Sequence, residues 1–129
     1  MHLSKILTGL AILGTIIIGI SLYASSVFSR DAQILENRII EIEESVDKKD
    51  WASAEKNLMA VREEWDKTEK MWAVLIEHAE IDNIDTSLTR VSEYIKSRDV
   101  SMTMAEIAVL RNSIRNIPEN QSFSLKNIL

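Results

Sequence analysis

His78 is the one histidine beyond the amino-terminal tail, and Glu77, Glu80, Asp82 and Asp85 stand close around it in the chain. An imidazole among carboxylates is a ligand set for a divalent ion if three or more groups converge, and on a continuous helix Glu77, His78 and Asp82 would face one way. A plainer reading competes with it. His78 would interact with the carboxyl end of one helix, and Asp82 or Asp85 would cap the start of the next. No metal is assigned on this pattern, and those residues are where one would be sought. Trp51, Trp65 and Trp72 are the other chemistry-bearing set. Aromatic walls can hold a cation or an apolar molecule, whereas strict helical spacing of the three rings points to core packing. With His78 they are the candidates for contact with a partner or ligand.

Catalysis finds little to work with. Cysteine is absent, which removes disulfides, thiolate nucleophiles and thiolate metal sites. No glycine-rich loop would cradle a phosphate, no nucleophile stands in a recognisable setting, and the many carboxylates occupy no defined pair. The expectation is a protein without enzymatic activity and without a cofactor. Lys5 is the one basic residue before Arg30, so the chain from Arg30 onward carries 14 basic against 20 acidic residues. That balance repels a phosphate backbone, and nucleic acid is not an expected partner.

The element that positions the tryptophans is a stretch read at steps of three and four: Trp51, Ala54, Leu58, Val61, Trp65, Thr68, Trp72, Leu75 and Ala79. This is one apolar stripe on a long amphipathic helix, expected to end near His78. The intervening cluster from Arg62 to Lys70 reads as a solvated face with i to i+4 pairs. Met59, Met71, Met102 and Met104 would fill the core or form an adaptable binding surface. An earlier stripe, Ala32, Leu35, Ile39, Ile42 and Val46, is out of phase with the tryptophan line, so a break is expected at Asp47 to Asp50 with Asp50 as the cap. A third helix carries Ile81, Ile84, Leu88, Val91 and Ile95. A fourth carries Met104, Ile107, Leu110, Ile114 and Ile117, capped by Ser101 and stopped by Pro118. Val46 to Asp50 and Ile95 to Asp99 read alike, each leading to an Ala-Glu pair, an internal echo that is either a repeat of helical hairpins or a coincidence of helix-rich composition.

In front of these elements no charge occurs from Ile6 to Ser29, and Ile6 to Phe28 would span about 34 Å as a helix. The segment is a membrane anchor, or a signal peptide with Ala24-Ser25-Ser26 as its cleavage site. The run continues past that site through Val27 and Phe28, which favours the anchor. Thr8, Ala11, Thr15, Gly19 and Ser26 form a line of small residues along it. Lys5 on a short tail favours an inside amino terminus, with the helical domain outside the cytoplasm.

The 129 residues, 46% hydrophobic and 27% charged, leave room for a single core. Gly9, Gly14 and Gly19 all precede Ile20, and Pro118 is the lone proline, so no helix breaker falls between. The expected fold is all-α: an N-terminal transmembrane helix over residues 1–29, then an antiparallel up-and-down bundle of about four helices, arranged as two helical hairpins, over 30–117. Residues 118–129 would be a tail, with Phe123, Leu125, Ile128 and Leu129 folded back on the bundle.

At Asp50-Trp51-Ala-Ser-Ala-Glu and Trp65, His78-Ala-Glu-Ile-Asp-Asn-Ile-Asp85, Tyr94-Ile95, Ile117-Pro118 and the closing Asn127-Ile-Leu, the chain resembles a bacterial family known as domain of unknown function 4363. The resemblance covers nearly the whole chain and rests on the order and spacing of these segments. It implies a small membrane-anchored helical protein, often encoded beside multi-span membrane proteins, with no established activity. The function expected is that of a single-span cell-membrane protein whose extracytoplasmic bundle is an interaction or scaffold module for another membrane or envelope protein. A homo-oligomer is compatible with this. The alternatives are a sensor or a ligand- or metal-binding bundle, and a form secreted after signal cleavage.

Overall fold

The structure, a computed structural model, describes residues 2–128, with side chains through Ile117. Four helices account for nearly all of it: α1 (His2–Asp47), α2 (Trp51–Leu75), α3 (His78–Lys96) and α4 (Val100–Ile128). Helix α1 is unbroken for 46 residues, about 69 Å at 1.5 Å per residue. Its amino-terminal half is bare, with every large apolar side chain from Leu3 to Tyr23 exposed. Its second half packs Phe28, Ala32, Leu35, Ile39, Ile42 and Val46 into the core. The hydroxyls of Thr8 and Thr15 donate to the carbonyls of Ser4 and Ala11 at 2.8 and 2.9 Å, so these polar groups are satisfied within their own helix.

The bundle is a ring in which α1 touches α2 and α4, and α3 touches the same two helices from the other side. Successive helices run antiparallel, as the two-hairpin pattern requires. Each turns its three-and-four stripe to the centre: Leu58, Val61, Trp65 and Trp72 from α2, Ile84, Leu88 and Val91 from α3, Ile107, Leu110 and Ile114 from α4. The physical origin is the one that the periodicity predicts, burial of one face per helix.

Two of the three corners share one conformation. At the first, the Asp50 amide donates to Ser45 O and that of Lys49 to Val46 O, both at 2.9 Å. At the other, the Asp99 amide donates to Tyr94 O at 3.1 Å and that of Arg98 to Ile95 O at 3.0 Å. Lys49 and Arg98 stand at φ 57° and 56°. This is the Schellman ending, with a left-handed residue closing the last turn and satisfying two terminal carbonyls. The next residue starts the following helix. Asp50 accepts from the Ser53 amide at 3.1 Å, and Asp99 accepts from the Met102 amide at 3.0 Å. The echo in the sequence is therefore a repeated corner. It does not extend to the Ala-Glu pairs: Ala54 is buried and Ala105 exposed.

Four expectations are corrected. The fourth helix is capped by Asp99 and not by Ser101, because the left-handed Arg98 leaves Asp99 as the first residue able to reach a free amide. It is not stopped by Pro118 but continues to Ile128, since a proline removes one amide donor without obliging the rest of the helix to end. The tail assigned to 118–129 thus begins inside α4, and the folding back of Phe123, Leu125, Ile128 and Leu129 lies outside the described side chains. Helix α2 ends at Leu75, short of His78. Ile76 and Glu77 are extended, at φ −119° and −61° with ψ 148° and 140°, which swings Ile76 into the core and leaves Leu75 and Ala79 exposed. Helix α3 accordingly starts at His78 behind Glu77. Asp82 and Asp85 lie inside it and cap nothing.

Candidate interaction surfaces

Trp65 and Trp72 are 2% and 0% exposed, so neither can meet a partner or line an open cage. The two rings stand edge to face, 5.7 Å apart at 81°, and Phe28 of α1 meets Trp72 at 5.7 Å and 63°. This aromatic set fills the space between α1 and α2. Trp65 Nε1 donates to Asp85 Oδ1 at 2.7 Å, while Trp72 Nε1 is buried with no hydrogen-bond partner among the described residues. Trp51, at the far end of α2, is half-buried against the same core. Of the residues expected to meet a partner or ligand, His78 alone is exposed. It is the first residue of α3 and stands at an amino terminus, not at the carboxyl end of its helix.

Glu77, His78 and Asp82 do not come together as ligands. Among the described residues no group of three or more His, Asp or Glu side chains is placed to hold a metal ion. Acidic groups do gather between α2 and α3. Burial, then the charge of Asp85 and a hydrogen bond with it, and to a lesser degree the charges of Asp66 and Asp82, raise the Glu69 carboxyl above its ordinary 4.5.

The polar seams were not visible from the sequence. Arg111 of α4 bridges Glu43 at 3.1 Å and Glu36 at 3.2 Å on α1, and Arg115 bonds the same Glu36 oxygen. The hydrogen bond from Arg115, opposed by burial and aided by Arg111, holds the Glu36 carboxyl below its ordinary value. Glu106 is buried on α4 and accepts from the Ser87 hydroxyl at 3.0 Å, with Arg90 at 3.8 Å. On the α1–α2 side, Asn57 donates to Ser45 Oγ at 2.9 Å, and Arg38 lies 3.9 Å from Glu64. Glu36 and Glu43 fall seven apart, and Arg111 and Arg115 four apart, each on one helical line. Only knowledge that α4 packs on α1 would have matched them.

Exposed apolar side chains gather at one end of the bundle. Met71, Val74 and Leu75 of α2 are 54%, 81% and 56% exposed, and they lie where α1 passes from its bare half into the core. A groove of about 280 Å³ opens there between the two helices. Met59, Met71 and Met102 are exposed, and only Met104, half-buried against the core, fits the core-filling reading of these four methionines.

A family model described as Domain of unknown function (DUF4363) matches residues 22–128. That range takes in the end of the bare segment and the whole bundle. No curated protein and no solved structure matches the chain.

Proposed function

The chain belongs to the DUF4363 family, and from that premise, which brings no activity with it, we propose a non-catalytic, single-span membrane protein whose bundle is an interaction or scaffold module outside the cytoplasm. The observation that carries the reading is the continuity of α1. Its first half is long and apolar enough to cross a membrane and, among the described residues, is left exposed, while its second half is a wall of the bundle. A break between the two would allow the bundle to swivel. An unbroken helix holds it at a set height and orientation, which suits a module that docks on a neighbour in the same membrane.

The interior speaks against the ligand-binding alternative. Trp65, Trp72 and Phe28 occupy the volume between helices that a small molecule would need. The partner is another membrane or envelope protein, met through the outer faces of the helices.

Cross-linking in intact cells, followed by purification of the full chain in mild detergent, tests the reading. The expected result is a specific cross-link to one membrane protein, with the chain resisting extraction by alkaline carbonate. Release by carbonate, or a cross-link pattern no different from that of an unrelated single-span protein, would overturn it. Protease protection of intact cells, with mass measurement of the mature amino terminus, checks sidedness and retention of the span.

A further inference from the structure

Where α1 leaves its charge-free stretch it does not stand alone, because the last two turns of α2 lie beside it. The contact of Phe28 with Trp72 sets the level. Antiparallel α2 then carries Leu75 about one turn farther toward the bare half of α1. The groove at that level is walled by Ile20, Tyr23, Ala24 and Val27 of α1 and by Met71 and Leu75 of α2. Arg30 is the one charged residue on its lining, at the side nearer the bundle.

The length of α1 says how deep this level is. If the hydrocarbon layer ended below Ile20, it would have to be crossed by Ile6 to Gly19, which as helix gives only about 21 Å. A bilayer core of about 30 Å requires about 20 residues, reaching Ser25 from Ile6. Residues 20 to 27 therefore straddle the hydrocarbon boundary, and the end of α2 that shares a groove with them is carried to the same depth. Val74 is more exposed, at 81%, than any other exposed large apolar side chain described, a poor arrangement in water and a suitable one in lipid.

We infer that the span-side end of the bundle, Met71, Val74 and Leu75, is seated in the bilayer, and that the groove beside Tyr23 holds an acyl chain of a phospholipid whose phosphate meets Arg30. The charge pattern fits this amphiphile. Apolar walls take the chain, and a guanidinium on the water side takes the anionic head. The inference rests on the reading of α1 as a membrane span and adds to it a second, bundle-borne contact with lipid.

The absence of cysteine makes a direct test clean. Full-length variants Leu13→Cys, Met59→Cys, Met71→Cys and Val74→Cys, each at a position exposed in the structure, are spin-labelled in phosphatidylethanolamine–phosphatidylglycerol vesicles. Collision with oxygen, which partitions into lipid, is compared with collision with a water-soluble nickel chelate. The expected oxygen-to-nickel ratio at 71 and 74 is severalfold above that at 59 and below that at 13, which lies near the middle of the span. If 71 and 74 match 59 while 13 reports lipid, the inference fails and the membrane span stands. If 13 also reports water, the span itself is refuted. Shielding of 71 and 74 from both reagents would mean a protein cover in place of lipid and would equally overturn the inference.

Discussion

The two Schellman corners place lysine and arginine where the backbone favours glycine. Lys49 and Arg98 stand at φ 57° and 56°, a conformation that costs a residue bearing Cβ about 1–2 kcal/mol. Glycine removes that strain but loses about 0.5–1 kcal/mol more conformational entropy on folding. The net expectation for Lys49→Gly or Arg98→Gly is a gain of about 0.5–1 kcal/mol each. The corners are 49 positions apart in the chain and share no hydrogen-bond partner, so the double variant should gain about 1–2 kcal/mol. For a domain of this size that is a rise in Tm on the order of 4–8 °C per kcal/mol. Thermal unfolding of the full chain in mild detergent, followed by tryptophan emission, gives the readout, since Trp65 and Trp72 are both in the core. Lys48→Gly is the control. Its φ is not positive, so only the entropic loss applies and Tm should fall. A fall in Tm for both Lys49→Gly and Arg98→Gly would refute the left-handed corners, and equal effects of the Lys48 and Lys49 variants would do the same for the first of them.

Trp65→Phe should cost about 1.5–3 kcal/mol more than Trp72→Phe, because Trp65 donates to Asp85 while the Trp72 indole nitrogen has no partner among the described residues to lose; equal losses in the same melts would contradict this. Trp72→Ala should cost about 3–5 kcal/mol, and a loss below about 1 kcal/mol would place the ring outside the core. Glu36 has its carboxyl lowered, so its stabilising share is complete above pH 4.5 and fades as pH falls through the depressed value; Glu36→Gln should therefore be destabilising at pH 7, with the gap closing in acid. Glu69 is raised, so its charge is a penalty above its folded-state pKa that is relieved as pH falls toward 4.5. Glu69→Gln should be stabilising at pH 7 and lose its advantage over that window, and stability profiles of the variants against pH would show whether the two signs are opposite.

Some of the corners can be read from residue types alone and some cannot. Asp50 is recognisable because a phase jump in the apolar stripe coincides with a good capping residue. The turn at Ile76 and Glu77 has neither glycine nor proline nor a side-chain cap. Two aspartates stand just beyond it, and local capping preference points to them. The chain instead turns early, because an extended Ile76 buries its side chain at 7% exposure. Ser101 misleads for a related reason, since the preceding backbone conformation settles which residue can reach the first free amides. Pro118 shows that a helix breaker is a local penalty weighed against everything the helix packs.

Periodicity, transfer free energy and composition suffice to establish four apolar stripes, a charge-free leading segment and the absence of thiol chemistry. Each of these depends on residue types or on neighbours along one helix, within reach of a three-and-four pattern. Packing had to settle that Trp65 and Trp72 are interior, that Glu36 is held by arginines 75 and 79 positions away, and that the end of α2 rises to the level of the bare segment. Those outcomes depend on which helix lies beside which and at what height. Many pairings of amphipathic helices bury similar apolar area, so the stripe does not choose among them. The choice falls to the corners, the ring contacts and the charged seams acting together.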